Sequence, residues 1–446
     1  MLQDLKMKNL EKSIKMQSRA EHRIPGMTQL LSKRPDRFSS GVWPGYFQKA
    51  KGAKVWDLDG NEYIDMSIGG IGATVLGYAD PDVDEAVMNA VSKGVACSLN
   101  CPEEVELAEL LCDLHPWADK ARFCRAGGEA MTMAVRIARA YTGRSKVAFC
   151  GYHGWHDWYL AANLKNGSAL NCHLINGLDP CGVPEELTGT SIPFHMNNTQ
   201  DFMNAVNTCG KELAAIVMEP IRDIEPDSEF MHAVRNYADK AGAVLIIDEI
   251  SAGLRFNTGG AHLVMHPVEP DIAVFSKALG NGYAISAVIG KNLVMDTVQK
   301  SFISSTNWTE RIGPAAALAT LEKHKNEKVY KHLVAAGESV QKGWIDAAAN
   351  NNLPIETGGL KPMSHFSITV PDWAKVKAFF VQEMLKKGFL ASDSFYAMYS
   401  HTNSDIALYL SSVNEVFHDI AVCLENDNIG QFLKGKPAGM GFERLN

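Results

Sequence analysis

The chain has 446 residues, 46% of them hydrophobic and 21% charged, with a net charge of −8. That length exceeds one ordinary core, so two or more lobes are expected. The acidic balance argues against a nucleic-acid or anionic-membrane surface, and no apolar run nears the roughly 18 residues of a membrane span.

The N-terminus, MLQDLKMKNLEKSIKM, mixes charges into its apolar residues and does not read as a secretory signal. Leu5, Leu10, Ile14 and Met16 make residues 5–21 a weak amphipathic helix. The nine cysteines are odd in number and scattered, which suits a reducing, cytoplasmic setting better than a disulfide framework. Residues 54–66, KVWDLDGNEYIDM, alternate apolar and polar around Asp59-Gly60-Asn61 and predict a hairpin. Residues 68–81 form a glycine-rich loop whose Gly70-x-Gly72 lacks the third glycine of a dinucleotide fingerprint. Helices are expected over about 82–93 and 102–114.

In residues 120–143, KARFCRAGGEAMTMAVRIARAYTG, the spacing of Met131, Ala134, Val135 and Ala138 predicts a helix headed by Gly127-Gly128. Glycines there free backbone N–H groups to grip a phosphate; a plain turn fits this segment equally well. A strand over 146–149 runs into GYHGWHDW, residues 151–158. Aromatics so dense suit stacking on a planar ring. The competing readings are a metal site from His153, His156 and Asp157, with His262 or His266, and a surface cluster without a ligand. Residues 163–193 lack periodicity and read as a long loop, placed to cover a site. Residues 213–218 are a buried strand ending in Glu219-Pro220, and about 229–241 a helix.

Two runs carry the chemistry. AVLIIDEI (243–250) and DIAVFSKALGNG (271–282) are unbroken apolar stretches, as in parallel strands buried on both faces. Asp248 and Glu249 stand at one strand end, Ser276 and Lys277 at another, where ligands of open α/β sheets bind. Pyridoxal phosphate requires an acid and a lysine so placed: the lysine for a Schiff base, the carboxylate to keep the ring nitrogen protonated. An Asp-Glu strand end also marks ATPase metal sites, but the nearest approach to a phosphate loop, GQFLKGKP at 430–437, has proline where Ser or Thr should hold magnesium. A strand at 285–289, a polar loop at 301–313, a long helical region from 315 to about 349, and alternating strand and helix patterns from 354 to 425 complete the chain.

With these pieces in order, the chain resembles the class III aminotransferases, which are fold-type I pyridoxal-phosphate enzymes, and most of all the branch containing glutamate-1-semialdehyde aminomutase. The resemblance runs from about Phe38 to about Phe417 and rests on VWDLDGNEYIDM, LGYADP, GGEAMTMAVRIARAYTGR, GYHG, VMEP, LIIDEISAGLR, FSKALGNG and STNWTERIGPAAALATL. It implies an α/β fold. Residues 1–75 would form an N-terminal segment of the small domain, 76–318 a large domain with a mostly parallel sheet, and 319–446 the rest of a small α+β domain. The resemblance makes Lys277 the Schiff-base lysine and Asp248 the partner of the pyridine nitrogen. It makes Tyr152 the stacking aromatic, Gly127 and Gly128 the phosphate cup, and Glu219 a neighbour of the ring hydroxyl. Thr306 would reach the phosphate of a neighbouring subunit, implying a homodimer with shared sites.

Three departures bear on function. The family's cup usually reads Ser-Gly-Thr, whereas Ala126-Gly127-Gly128 lacks both hydroxyls, leaving more of the phosphate to Arg125 or Thr306. Gly70-Ile71 stands where the aminomutase has Ser-Trp. Phe47, in SGVWPGYF, stands where the aminomutase has an arginine for the substrate carboxylate, unless Arg125, Arg255 or Arg311 replaces it. The expected reaction is transfer of an amino group from an amino donor to a carbonyl acceptor, such as a keto-sugar, with Trp43 and Tyr46 as a stacking face; an intramolecular aminomutase is the alternative. A metal-dependent hydrolase and a non-catalytic ligand-binding member of the fold are the rivals from other classes.

Overall fold

The computed structural model describes residues 7–439 except 172, 174, 266 and 267. The chain divides into two compact units, one of residues up to Asp80 together with those from Lys331 onward, the other Pro81–Tyr330.

The second unit is built on a seven-stranded sheet. Its strands are β1 (Lys120–Cys124), β2 (Lys146–Cys150), β3 (Ser191–Pro193), β4 (Leu213–Met218), β5 (Val244–Asp248), β6 (Ile272–Phe275) and β7 (Ser286–Gly290). Their spatial order is β1-β7-β6-β5-β4-β2-β3. All neighbours are parallel except β7, which runs antiparallel to both β1 and β6. The unbroken apolar runs follow from burial on both faces. Val217, Ile246 and Val274 pack on one face with the helix Gly127–Thr142. Met218, Ile247 and Leu245 pack on the other with Phe202 and Phe230. Short β3 falls inside the segment that reads as a loop. β1 lies in the run before Gly127, where the helical pattern masks it.

In the first unit, strands Phe47–Lys51, Lys54–Asp57 and Glu62–Met66 form an antiparallel ribbon, and Phe389–Ala391 adds in parallel to the last. The hairpin over 54–66 is therefore present, with an extra strand before it. Phe47 is exposed on that extra strand. A second, antiparallel sheet joins Ile355–Leu360, Met363–Ile368 and Ser394–Tyr396. The N-terminal helix spans Glu11–Glu21; Leu5 lies outside the described residues. The helical region expected from 315 to 349 is two helices, Ile312–Asn326 and Val329–Asn350. They break at Lys328, which has φ +51°.

Ile71 has φ +63°, between Gly70 at +61° and Gly72 at +74°. A β-branched side chain is strained in the left-handed region, so the loop that departs from the aminomutase pattern carries a real backbone constraint. No helix among the described residues is long and apolar enough to cross a membrane.

Beside the second sheet, Trp344 is fully buried, its ring tilted against that of Phe366 with centroids 4.8 Å apart. Its indole N–H donates to the Tyr409 hydroxyl at 2.9 Å. Replacing Trp344 by Ala leaves a cavity and an unpaired tyrosine, so it should cost about 3–5 kcal/mol in urea unfolding.

Candidate active site

Four adjacent parallel strands deliver polar residues at their carboxyl ends. β2 leads into Gly151, Tyr152 and His153, β4 into Glu219, β5 ends in Asp248, and β6 is followed by Ser276 and Lys277. Asp248 pairs in register with Val274, three residues before Lys277. The Lys277 Nζ donates to the Ser251 hydroxyl at 2.6 Å. Its backbone sits at φ +42°, rare for a residue with a side chain and common at functional positions. Burial lowers its amine to about 8, against the opposing pull of the Glu219 and Asp248 carboxylates.

Asp248 is 2% exposed. Its Oδ1 accepts the Ile250 N–H at 2.9 Å, and its Oδ2 lies 2.7 Å from His153 Nδ1. His153 Nε2 meets the Cys150 carbonyl at 3.0 Å, and a carbonyl only accepts, so that nitrogen carries a proton. A second proton must then lie between Nδ1 and the carboxylate. Burial pushes the Asp248 carboxyl up, and the His153 contact works against that push. Glu249, the next residue, serves the backbone instead: its carboxylate accepts the Ala261 and His262 amides and faces His262 Nδ1 at 2.7 Å.

Tyr152 is held from two sides. Its ring meets Tyr159 edge-on at 5.8 Å, and its N–H donates to Glu219 Oε2 at 3.1 Å. Gly151, at φ +107°, is required because a Cβ there would overlap that same oxygen. Glu219 is 3% exposed and its Oε2 also accepts Arg222 Nη1 at 2.7 Å.

The helix Gly127–Thr142 opens with no side-chain cap, since Ala126 offers no acceptor. A Cβ on Gly127 would stand 2.9 Å from Ile250 Cδ1, and one on Gly128 3.0 Å from His156 Cδ2. The glycines thus bring the first helical amides close against the β5 end and the aromatic loop. Uncapped amides at a helix start form an anion site. Arg125 does not assist there, contrary to the expectation from sequence. Its guanidinium donates to the Trp308 and Glu310 carbonyls at 2.9 Å each and pairs with the Glu310 carboxylate at 3.0 Å. Those bonds anchor the loop before Ile312. Glu129 does the same from the helix, taking the Trp308 indole N–H at 3.0 Å.

Thr306 is not brought to the other residues within this chain. It begins an exposed single turn, Thr306–Thr309, on that anchored loop. The metal reading of the histidines also dissolves. His153 goes to Asp248 and His262 to Glu249, and the described residues contain no cluster able to hold a metal. His266 lies outside the described residues. Sequence reasoning missed two residues here, the pairing role of His153 and the arginine at 222. The only signal for Arg222 was its place three residues after Glu219.

A half-buried strand-end lysine, a buried carboxylate on the adjacent strand, a propped tyrosine and an uncapped glycine helix start fit pyridoxal phosphate. The family model "Aminotransferase class-III" matches residues 39–394. The chain is 29% identical over 424 residues to 3-aminobutyryl-CoA aminotransferase of Cloacimonas acidaminovorans (strain Evry), covering 92% of this chain and 98% of that one. It is 33% identical over 359 residues to 2'-deamino-2'-hydroxyneamine transaminase of Streptomyces kanamyceticus, covering 79% and 85%. The FumI protein of Sphingopyxis sp. MTA144, solved with PLP, superposes with a TM-score of 0.82 at 24% identity, covering 96% of this chain and 99% of that one. The fold is that of fold-type I transferases, and the chain belongs to the class-III aminotransferases, enzymes that work with pyridoxal phosphate.

Proposed function

We propose that the enzyme moves an amino group from an amino donor to a hydroxylated aldehyde or ketone of the keto-sugar kind, with Lys277 and Asp248 as its catalytic residues. The observation that carries the assignment of roles is the amine of Lys277, half-buried, held by Ser251 and lowered to about 8 by desolvation while two carboxylates share its surroundings. For the acceptor, support comes from a relative named for a hydroxyneamine and from Phe47, which offers no charge where the aminomutase has arginine. Half-transamination with a panel of donors, followed by a panel of neutral aldehydes and ketoses, tests it. Efficient conversion of glutamate-1-semialdehyde instead would overturn the acceptor assignment.

Pyridoxal phosphate, when bound, supplies the electron sink for deprotonation at the carbon bearing the amino group. Lys277 would hold the cofactor, and its free amine would move the proton at the substrate carbon that bears the amino group. Asp248 would keep the pyridine nitrogen protonated, and His153 positions Asp248 and compensates its burial. Tyr152 would stack on the ring, and Glu219 holds the tyrosine's backbone in place. Gly127 and Gly128 would present amides to the phosphate.

We also read the enzyme as a cytoplasmic homodimer. Arg311 N–H binds the Val95 carbonyl at 3.0 Å, tying the loop over 301–311 to the segment that ends near Leu99. These joined segments expose Phe302 at 88% and Leu99 at 79%, and the same loop offers Thr306 outward. Apolar side chains so exposed beside an outward threonine suit a second subunit.

Lys277→Ala should fold and yet leave no lysine to which borohydride fixes the cofactor; peptide mapping that finds it on another lysine refutes the assignment. Because only the neutral amine attacks, cofactor uptake by wild-type apoenzyme should rise with pH and level off above about 8. Asp248→Asn should retain cofactor but lose most turnover, measured as the single-turnover rate with a good donor. Thr306→Ala should weaken cofactor retention by about 1–3 kcal/mol, and light scattering that shows a fully active monomer would sink the shared site.

A further inference from the structure

The glycine turn gives the phosphate site no side-chain donor of its own, because Ala126, Gly127 and Gly128 carry no hydroxyl. Gly128 is not required by its backbone. It lies in the first turn of the helix Gly127–Thr142 and has no positive φ, so the conformation there admits any residue with a side chain. What excludes a side chain is His156. A Cβ on Gly128 would stand 3.0 Å from His156 Cδ2 and 3.3 Å from its Nε2. The imidazole thus fills the space into which a serine or threonine at 128 would project, and it does so with its Cδ2–Nε2 edge.

Two features of the aromatic loop bring the ring there. Gly154, at φ +102°, lies so near that a Cβ on it would stand 3.0 Å from the Gly128 Cα, so the loop meets the helix start backbone to backbone. Trp155 then packs on the imidazole, with ring centroids 4.5 Å apart and planes 34° from parallel. The backbone of His156 is fixed as well: its carbonyl accepts the Tyr159 and Leu160 amides at 2.9 and 3.2 Å. Its ring nitrogens make no hydrogen bond among the described residues, and the residue is half-buried. In the same loop His153 spends both nitrogens, on Asp248 and on Cys150. His156 is held in place with its donor unspent.

We propose that His156 is a binding residue for the phosphate of the cofactor, its imidazole taking the place of the hydroxyl that Gly128 lacks. This rests on the reading of Gly127 and Gly128 as the phosphate site. An N–H on the flank of the two glycine amides adds a charge-assisted bond to the anion that those amides would hold. Packing against Trp155 fixes the ring beforehand, so little side-chain freedom remains to be lost on binding. Burial draws the proton affinity of the ring down, and the Glu129 and Asp157 carboxylates oppose that. The donor survives in either state, since a neutral imidazole keeps one N–H and the imidazolium has two. A hydroxyl residue at 128 and an imidazole at 156 would crowd each other, so the chain carries one donor or the other.

The test uses full-length apoenzyme and two ligands that differ in the phosphate alone, pyridoxamine 5'-phosphate and pyridoxamine. Calorimetry gives the ratio of their Kd values. In His156→Phe, which keeps a ring against Gly128 but no donor, the preference for the phosphorylated ligand should fall about 10- to 100-fold, the range for losing a hydrogen bond to a charged group. His156→Gln, whose amide nitrogen matches Nε2, should keep most of that preference. Crowding adds a second expectation. Gly128→Thr alone should lower the preference by displacing the ring, whereas Gly128→Thr combined with His156→Ala should recover much of what His156→Ala loses, because the hydroxyl enters the vacated space. A purely structural role for the ring would weaken both ligands alike, and that result overturns the proposal. A preference unchanged in His156→Phe but lowered in Gly128→Thr overturns the role of His156 and leaves the glycine site standing. A preference unchanged in every variant overturns the glycine site as well.

Discussion

A carboxylate that is 2% exposed has to be compensated where it stands, and Asp248 is compensated by His153. An unpaired buried charge costs several kcal/mol, and removing one partner of a buried pair costs about 3–5 kcal/mol. That requirement orders the rest of the site. His153 can reach Asp248 only because β2 and β5 are both parallel to β4 and end on the same side of the sheet. Its other nitrogen is consumed by Cys150, at the end of its own strand, so the ring cannot turn away. The tyrosine one residue earlier is fixed by the same turn, through Gly151 and Glu219. Burying one acid thus places a histidine and a tyrosine as well.

The sheet was legible because its strands are buried on both faces, and unbroken runs of Val, Ile and Leu have few other uses. The strand-end placement of Lys277 and Asp248 was legible for the same reason, Asp248 being the first polar group after its run and Lys277 following Ser276 directly after the other. The short strand Ser191–Pro193 was not, since three residues in a stretch rich in Gly, Asn and Pro carry no period. Arg125 was misjudged in its use. The sequence shows a cation next to the glycine helix start, but the acceptors that consume it lie at Trp308 and Glu310. Contacts across about 180 positions leave no local mark. The histidines of GYHGWHDW failed similarly, because metal spacing along the chain says nothing about which ring nitrogen faces a carboxylate from β5.

The loop over 301–311 shows how the missing hydroxyls of the glycine turn are tolerated. Arg125, Glu129 and Glu310 join the start of the Gly127–Thr142 helix to the start of Ile312–Asn326. Glu310 caps that second helix through the Ile312 and Gly313 amides at 2.7 and 3.0 Å. A helix start held on its flank by one salt bridge and side-chain hydrogen bonds keeps its own amides unspent. The amides at Gly127 and Gly128 then remain available for an anion without help from a serine or threonine side chain.

The adjacent acids Asp248 and Glu249 show how one strand end divides its labour. Successive residues leaving a strand point to opposite sides, so two neighbouring carboxylates cannot serve one ligand. Asp248 turns toward His153. Glu249 turns the other way and takes two backbone amides and a ring nitrogen from Ala261 and His262. Those bonds close the glycine turn of Asn257–Gly260 against the sheet, where a Cβ on Gly260 would stand 2.9 Å from the Glu249 carboxylate. Gly260 accordingly adopts φ +103°. Glu249 thus fixes the chain beyond β5 while Asp248 stays with His153, and exchanging the two residues would present His153 with a side chain one methylene longer. The Asp-Glu order is set by this geometry, in which the shorter acid sits where the backbone already brings its partner to 2.7 Å.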